Sequence, residues 1–387
     1  KQMDQTCLSI QGPPGTGKTY TSAKVIIELI KDNKKVGVSS NSHEAIKNLL
    51  SEIERQAKSE NFEFKGMKKS KKSNLFNGEF IVDITGRYTS EQLKDFSLVA
   101  GTAWFFSDER LKQTLDYLFI DEAGQVSVAD LIVLGQIAKN IVLIGDQLQL
   151  GQPTRGAHPG LSGKSILEFL LEDLDTIPED KGIFLNRTYR LHSKINEFIS
   201  ESFYEGRLIV DEQTESKKIL SNNMNFRNNG IYYLDISHEE NTQTSEEECK
   251  EIKKIVNILI GQDYYNGKQT RKLTIEDILI ISPYNAQVNA ISFTLKNKKA
   301  RIGTIDKFQG QEAPITLISM ASSDPESLPR NKEFFFSRNR LNVAISRAQC
   351  ISIILFNSNL LKFMPKSVEQ VKLINHFIKL KNLYKVN

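Results

Sequence analysis

The chain has 387 residues, enough for two domains of ordinary size, each with its own core. Hydrophobic residues make up 39% and charged residues 25%, the balance of a globular protein, and no apolar run reaches the ~20 residues of a membrane span. A formal charge of +4 and a pI near 8.7 are too mild to argue for nucleic acid, because a local groove matters more than the sum. Cys7, Cys249 and Cys350 are scattered without paired spacing. They fit neither a disulfide framework nor a zinc or iron–sulfur site and point to a reducing, intracellular compartment.

Short β-branched runs alternate with helical stretches, the pattern of parallel α/β sheets. The first run, residues 7–11, leads into Gly12-Pro13-Pro14-Gly15-Thr16-Gly17-Lys18-Thr19, which fills the pattern G-x-x-x-x-G-K-[ST]. Glycines let the backbone curl so that successive N–H groups hold phosphate oxygens, and the following helix adds its N-terminal partial charge. Lys18 would reach the β- and γ-phosphates of ATP, and the Thr19 hydroxyl would ligate Mg²⁺. Ala23, Ile26, Ile27 and Ile30 form the apolar stripe of that helix. A strand at 35–39 and a second stripe, Ile46, Leu49, Leu50 and Ile53, come next. The lysine-rich stretch 65–73 reads most simply as a solvated loop.

Strands at 98–102, 117–120 and 141–144 complete the first half. The second of these delivers Asp121 and Glu122 at its C-terminal end, the edge where open α/β sheets bind ligands. Asp121 would hold Mg²⁺, and Glu122 would orient or deprotonate the attacking water. Gly, Pro and Ser are frequent between residues 151 and 181, which places the join of two domains there: residues 1–180 and 181–387. The second half offers strands at 183–185, 231–234, 278–281, 315–320 and 351–356. Ser245 with Glu248 reads as a capping box opening a helix whose stripe is Ile252, Ile255, Val256 and Leu259. The asparagine-rich stretch 222–229 reads as a loop. The chain lacks an initial Met and its first strand begins almost at once, so an N-terminal domain outside this chain is expected.

A phosphate-binding loop with an acidic strand leaves kinases, GTPases, transporters and many ATPases open. The remaining blocks narrow the choice. Val38-Ser39-Ser40-Asn41-Ser42-His43, Val99-Ala100-Gly101-Thr102, Asp121-Glu122-Ala123-Gly124-Gln125 and Gly145-Asp146-Gln147-Leu148-Gln149-Leu150 follow the loop in order. Thr188-Tyr189-Arg190-Leu191-His192, Ser282-Pro283-Tyr284, the block from Gly303 to Glu312, and the block from Arg340 to Ala348 complete the set. This ordered set resembles superfamily 1 helicases, in particular the branch of the nonsense-mediated-decay helicase and the replication nuclease-helicase. It is also similar to bacterial fusions of a RecB-like nuclease with such a helicase.

The resemblance implies two tandem RecA-like domains, each a mainly parallel sheet with helices on both faces. It implies that Gln149 couples the γ-phosphate to the nucleic-acid groove, that Tyr189 stacks on adenine, and that Arg190 and Arg347 reach the γ-phosphate. Glu312 resembles a ribose or nucleotide contact. The glutamine that reads adenine in the family lies upstream of the loop, and neither Gln2 nor Gln5 replaces it convincingly. Ser40, Asn41, Thr102 and Thr304 resemble positions that touch the nucleic-acid backbone. Trp104, the single tryptophan, is either a base-stacking platform or a core aromatic beside Phe105 and Phe106. Lys65, Lys68, Lys69, Lys71 and Lys72 either track phosphates or belong to the solvated loop, the favoured reading. The implied activity is an ATP-dependent helicase or translocase on single strands, DNA favoured over RNA, moving 5′→3′. An RNA helicase, or a nucleotide-switched scaffold that holds strands without unwinding, is the alternative. No membrane association and no nuclease is expected from these residues.

Overall fold

Parallel strands covered by helices on both faces carry unbroken apolar runs, and this chain has them in both halves. The structure, a computed structural model, describes residues 3–151, 159–220, 226, 229–326, 328 and 332–384. It comprises two units, Lys1–Asn186 and Arg187–Asn387.

In the first unit, strands β1 (Cys7–Gln11), β2 (Val36–Ser39), β3 (Gly66–Lys69), β4 (Ile81–Ile84), β5 (Leu98–Ala100), β6 (Leu115–Ile120), β7 (Ala138–Gly145) and β8 (Gly182–Phe184) form one sheet. Their order is β4-β3-β5-β2-β6-β7-β1-β8, and every pairing is parallel. Helices α1 (Lys18–Lys31) and α2 (His43–Ser59) cover one face. Their stripes Ile26, Ile27, Leu49 and Ile53 meet Val36, Val38, Ala100 and Phe119 in one buried cluster. Val99, Leu118, Ile120 and Leu143 point to the other face, where Phe106, Leu134 and Leu167 cover them.

Two expectations fail here. The strand near 183–185 belongs to the first unit, because β8 pairs with β1 from Ser9↔Gly182 to Gln11↔Phe184. The Gly- and Pro-rich stretch before it is therefore a crossover inside one sheet; residues 152–158 of it lie outside the described residues. The lysine-rich stretch is only partly a solvated loop: Lys65 and residues 71–73 are exposed, but the centre is not. Residues 66–69 form β3, between β4 and β5, and Lys68 is 0% exposed. Its ammonium donates to the Asn74 carbonyl (2.8 Å) and to Ser70 Oγ, with Asp83 at 3.8 Å. A buried cation is tolerated because it is paired.

The second unit begins with β9 (Arg187–Thr188) and β10 (Ile209–Val210), a parallel pair. Strands β11 (Lys218–Leu220), β13 (Asp263–Tyr265) and β14 (Thr270–Lys272) form a small antiparallel sheet. The main sheet joins β12 (Gly230–Asp235), β15 (Ile278–Ile281), β16 (Arg301–Gly303), β17 (Ala313–Ser319) and β18 (Ala348–Phe356), in the order β12-β18-β17-β15-β16, all parallel. Ile252, Ile255, Val256 and Leu259 of the helix Glu246–Leu259 pack on Ile278, Ile280, Leu317 and Ile353. Ser245 caps that helix by accepting from the Glu248 amide (3.1 Å), but the expected box is incomplete. The Glu248 carboxylate turns inward to His238 Nε2 (3.2 Å), Ser319 Oγ (2.5 Å) and the Ala321 amide (3.0 Å). Of the asparagine-rich stretch, residues 222–225, 227 and 228 lie outside the described residues.

What positions the ligand edge of the first unit is a contact with no side chains in it. A Cβ on Gly124 would lie 2.6 Å from the Asp146 carbonyl oxygen, and one on Gly145 would lie 2.7 Å from the Ala123 amide nitrogen. The turn after β6 and the end of β7 thus touch backbone to backbone. Gly145→Ala is expected to destabilise the chain by about 1–3 kcal/mol, the usual cost of overpacking. Gly151→Ala, where no described residue lies within 4 Å, is the control, and denaturant midpoints compare them.

Candidate functional site

The phosphate-binding loop springs from the C-terminal end of β1. The Gly12 amide donates to the Gly145 carbonyl (2.8 Å), tying the loop to β7. Gly15 (φ 75°) and Gly17 (φ 76°) are left-handed, which only glycine adopts without strain. Gly17 is the N-cap of α1, so the helix starts at Lys18 with no side chain over its end. The amides of Gly15, Gly17, Lys18 and Thr19 find no acceptor among the described residues. Pro13 and Pro14 carry no N–H, and Thr16 Oγ1 closes the turn on the Pro13 carbonyl (2.8 Å). Lys18 folds back across Gly12, donating to the Gly12 (2.5 Å) and Pro13 (3.5 Å) carbonyls. A Cβ on Gly12 would collide with its stem. Open amides, a helix N-terminus and one ammonium fit a polyphosphate.

Asp121 and Glu122 stand at the end of β6. The Asp121 amide bonds the Ser39 carbonyl (2.8 Å). Burial drives the Asp121 carboxyl far above the usual carboxylate value, the Glu122 charge adds to this, and Lys18 opposes it. Such a carboxyl gains from a cation beside it. Thr19, in the first turn of α1, has a hydroxyl that no described residue engages. These two oxygens fit Mg²⁺ held partly by phosphates, the usual mode for this ion. Glu122 is left-handed (φ 54°), a strained conformation for a side-chain-bearing residue, and is half-buried.

Asp146, which sequence reasoning quoted without assigning a role, organises the next position. It is buried and accepts from the Leu148 amide (3.2 Å), from Gln11 Nε2 (3.4 Å) and from Gln149 Nε2 (2.9 Å). Gln149 is thereby held at the same strand edge as Asp121. An acidic residue one step beyond an apolar strand was the available signal. Asn41, after β2, donates to the Gln125 carbonyl in the turn beyond Glu122. Ser40 is buried, and its Oγ has no partner among the described residues. Thr102 stands at the N-cap position of the short helix Ala103–Phe106, with no side-chain bond to its amides. Trp104 on that helix is 89% exposed while Phe105 and Phe106 are buried, so its core reading fails. Gln2 lies outside the described residues, and Gln5 is exposed.

The second unit gathers its own group. Arg190 pairs with Glu312 and donates to the Ser346 carbonyl (3.5 Å), next to Arg347. Gln349 Nε2 donates to the other Glu312 oxygen (2.7 Å). Burial raises the Glu312 carboxyl, but Arg190 and the Gln349 bond outweigh it and hold the carboxyl below its usual value. Tyr189 is exposed and Arg347 is 4% exposed. Tyr189, Arg190, Glu312 and Arg347 are therefore neighbours through strand ends far apart in sequence. Thr304, after β16, lines a separate cavity of about 310 Å³ with Tyr284, Asn285 and Asp306.

Two family models, each described as an AAA domain, match residues 2–161 and 163–359. The chain is 27% identical to the DNA replication ATP-dependent helicase/nuclease dna2 of Schizosaccharomyces pombe, over 96% of this chain and 27% of that protein. It is 24% identical to the DNA polymerase alpha-associated DNA helicase A of the same organism, over 93% and 62%. It is 26% identical to a Regulator of nonsense transcripts 1 homolog of Arabidopsis thaliana, over 92% and 32%. The chain thus spans only part of these relatives. In fold it resembles the Arterivirus nonstructural protein 10 helicase solved with DNA, with a TM-score of 0.50 at 14% identity over 92% of this chain and 63% of that one. The motifs, the paired parallel sheets and these matches together make the chain a member of the AAA domain family, among the superfamily 1 helicases, which are ATP-hydrolysing enzymes.

Proposed function

We propose that the chain is the motor core of an ATP-dependent helicase or translocase that moves along single-stranded nucleic acid. The observation that carries this reading is the shared strand edge of the first unit. There the open amides of the phosphate-binding loop, the Asp121–Glu122 turn and Gln149 are tied together through Gly145 and Asp146. Lys18 would leave the Gly12 carbonyl for the β- and γ-phosphates, and Glu122 would orient the attacking water. Thr19 and Asp121 would hold Mg²⁺, which supplies charge neutralisation on the phosphate oxygens. Tyr189 would stack on adenine, with Glu312 beside it. Asn41 joins the turn after Glu122 to the residues that would hold the strand, Ser40, Asn41, Thr102 and Trp104, with Thr304 in the second unit.

DNA is the proposed substrate, supported by the likeness to proteins named as DNA helicases. The direction, 5′→3′, rests on resemblance alone, and a reducing intracellular compartment on the cysteine pattern. Among the described residues no helix is long and apolar enough to cross a membrane. The deciding experiment is ATP turnover with matched single-stranded DNA and RNA. Stronger stimulation by DNA is expected, stronger stimulation by RNA reverses the substrate, and none with either removes the motor reading.

Lys18→Ala should abolish turnover. Glu122→Gln should keep ATP affinity and lose hydrolysis, since Asp121 and Thr19 remain; equilibrium binding beside turnover separates the two. Loss of binding in Glu122→Gln would make that residue structural.

Arg190 and Arg347 belong to the second unit, and we assign them to transition-state charge. Each alanine variant should keep most ATP affinity and lose turnover, by up to roughly 10³–10⁵ as for arginine fingers elsewhere. The double variant should cost much less than the product of the singles. Normal turnover in both single variants would place the complete active site in the first unit.

A further inference from the structure

We propose that the β3–β4 segment, the loop after β4 and Trp104 together form a subsite for one nucleotide of a single strand, with its base stacked on Trp104 and its flanking phosphodiesters on Lys71 and Arg87. This rests on the single-strand reading above and adds a phosphate track that no motif residue supplies.

A cavity of about 540 Å³ is lined by Lys69, Lys71, Arg87, Tyr88, Trp104 and Arg110, within the size range of ligand sites. Trp104 faces outward. It is 89% exposed, while its neighbours Phe105 and Phe106 are in the core. An exposed indole presents a large apolar face, and every base has a π-face to lay on it.

The charge around it is one-sided. The single carboxylate on the cavity wall, Asp108, is already engaged by Arg110 through both oxygens and by the Tyr88 hydroxyl (2.5 Å). Arg110 also stacks on Tyr88, 4.3 Å from the ring centroid. Lys69 donates to the Gly86 carbonyl and lies 5.4 Å from the same ring. The exposed Lys71 ammonium and Arg87 guanidinium have no acceptor among the described residues. Thr102 and His43 complete the wall, and His43 Nδ1 is buried without a partner there. Burial, then Lys68, Lys71 and Lys47, lowers the His43 pKa, which agrees with a positive field.

The connection that carries Lys71 is also tied down, its backbone amide donating to Asn74 Oδ1 (2.7 Å). Asp83 accepts from the Phe76 (2.7 Å) and Asn77 (2.9 Å) amides, and Glu54 accepts from the amides of Glu79, Phe80 and Ile81. With Lys68 bonded to the Asn74 carbonyl, the connection from β3 to β4 is pinned along its length. Preorganised charge beside an exposed aromatic suits a phosphate backbone with splayed bases and reads no sequence.

Trp104 is the only tryptophan, so its emission reports this subsite alone. The unmodified chain is titrated with oligothymidylate while anisotropy of a labelled strand follows binding independently. Quenching should track binding, and an abasic strand of equal charge should bind without quenching. Trp104→Ala should weaken strand binding by about five- to a hundredfold, the range of one stacked base. Lys71→Ala with Arg87→Ala should lower the slope of log K against log salt by about 1.4, at ~0.7 per phosphate. Binding with unchanged Trp104 emission, or an unchanged salt slope, overturns the subsite and leaves the motor reading intact. Quenching by thymidine monophosphate at strand-like affinity overturns it in favour of a free nucleotide. If neither strand binds, the single-strand reading itself falls, and the subsite with it.

Discussion

The backbone-to-backbone contact between the Ala123–Gly124 turn and the end of β7 is the constraint on which the first unit's ligand edge depends. Side chains at Gly124 or Gly145 would push the two segments apart. The β1–β7 pairing continues in the bond from the Gly12 amide to the Gly145 carbonyl, so the phosphate-binding loop, the acidic turn and the Asp146 segment all meet at the end of β7. Asp146 then adds side-chain bonds from Gln11 and Gln149 there. Residues that would sense phosphate are thus set by main-chain geometry, which is stiffer than any side-chain contact.

Buried carboxylates recur as fasteners at loops that must hold a shape. Glu54 takes three amides at the entry to β4, Asp83 takes two before it, and Glu248 fixes the loop after β17 together with His238. Each would be costly alone in the interior, and each is filled with donors. Asp121 is the exception in kind. It too is buried and accepts from the Glu122 amide (3.0 Å), but the Glu122 carboxylate stands beside it, and with burial this favours its neutral form despite Lys18.

The two units present different groups. The first has loop amides unengaged among the described residues and a buried acid, whereas the second has the exposed Tyr189 ring and two arginines, one of them paired with Glu312. That pairing orients Arg190 and restrains it at once, since a charge-assisted bond fixes a guanidinium plane while occupying its donors.

Much of this was legible in the chain itself. Local pattern determined the strand-loop-helix around Lys18, the apolar stripes of α1 and α2 and the acidic end of β6, because periodicity, glycine conformations and strand ends are short-range properties. The ordered motifs nominated candidate residues, among them Tyr189, Arg190, Glu312 and Arg347. Only the tertiary structure decided what depends on partners distant in sequence. Composition made residues 65–73 look like solvent-facing loop, yet β3 is enclosed because β4 and β5 flank it and Asp83 balances Lys68. β8 joined the first sheet because β1 had a free edge for a strand from beyond the Gly- and Pro-rich crossover. Trp104 stayed in solvent because its two phenylalanine neighbours filled the core first. A lone lysine run or a lone tryptophan reads the same in either setting; burial is a property of what the rest of the chain brings to it.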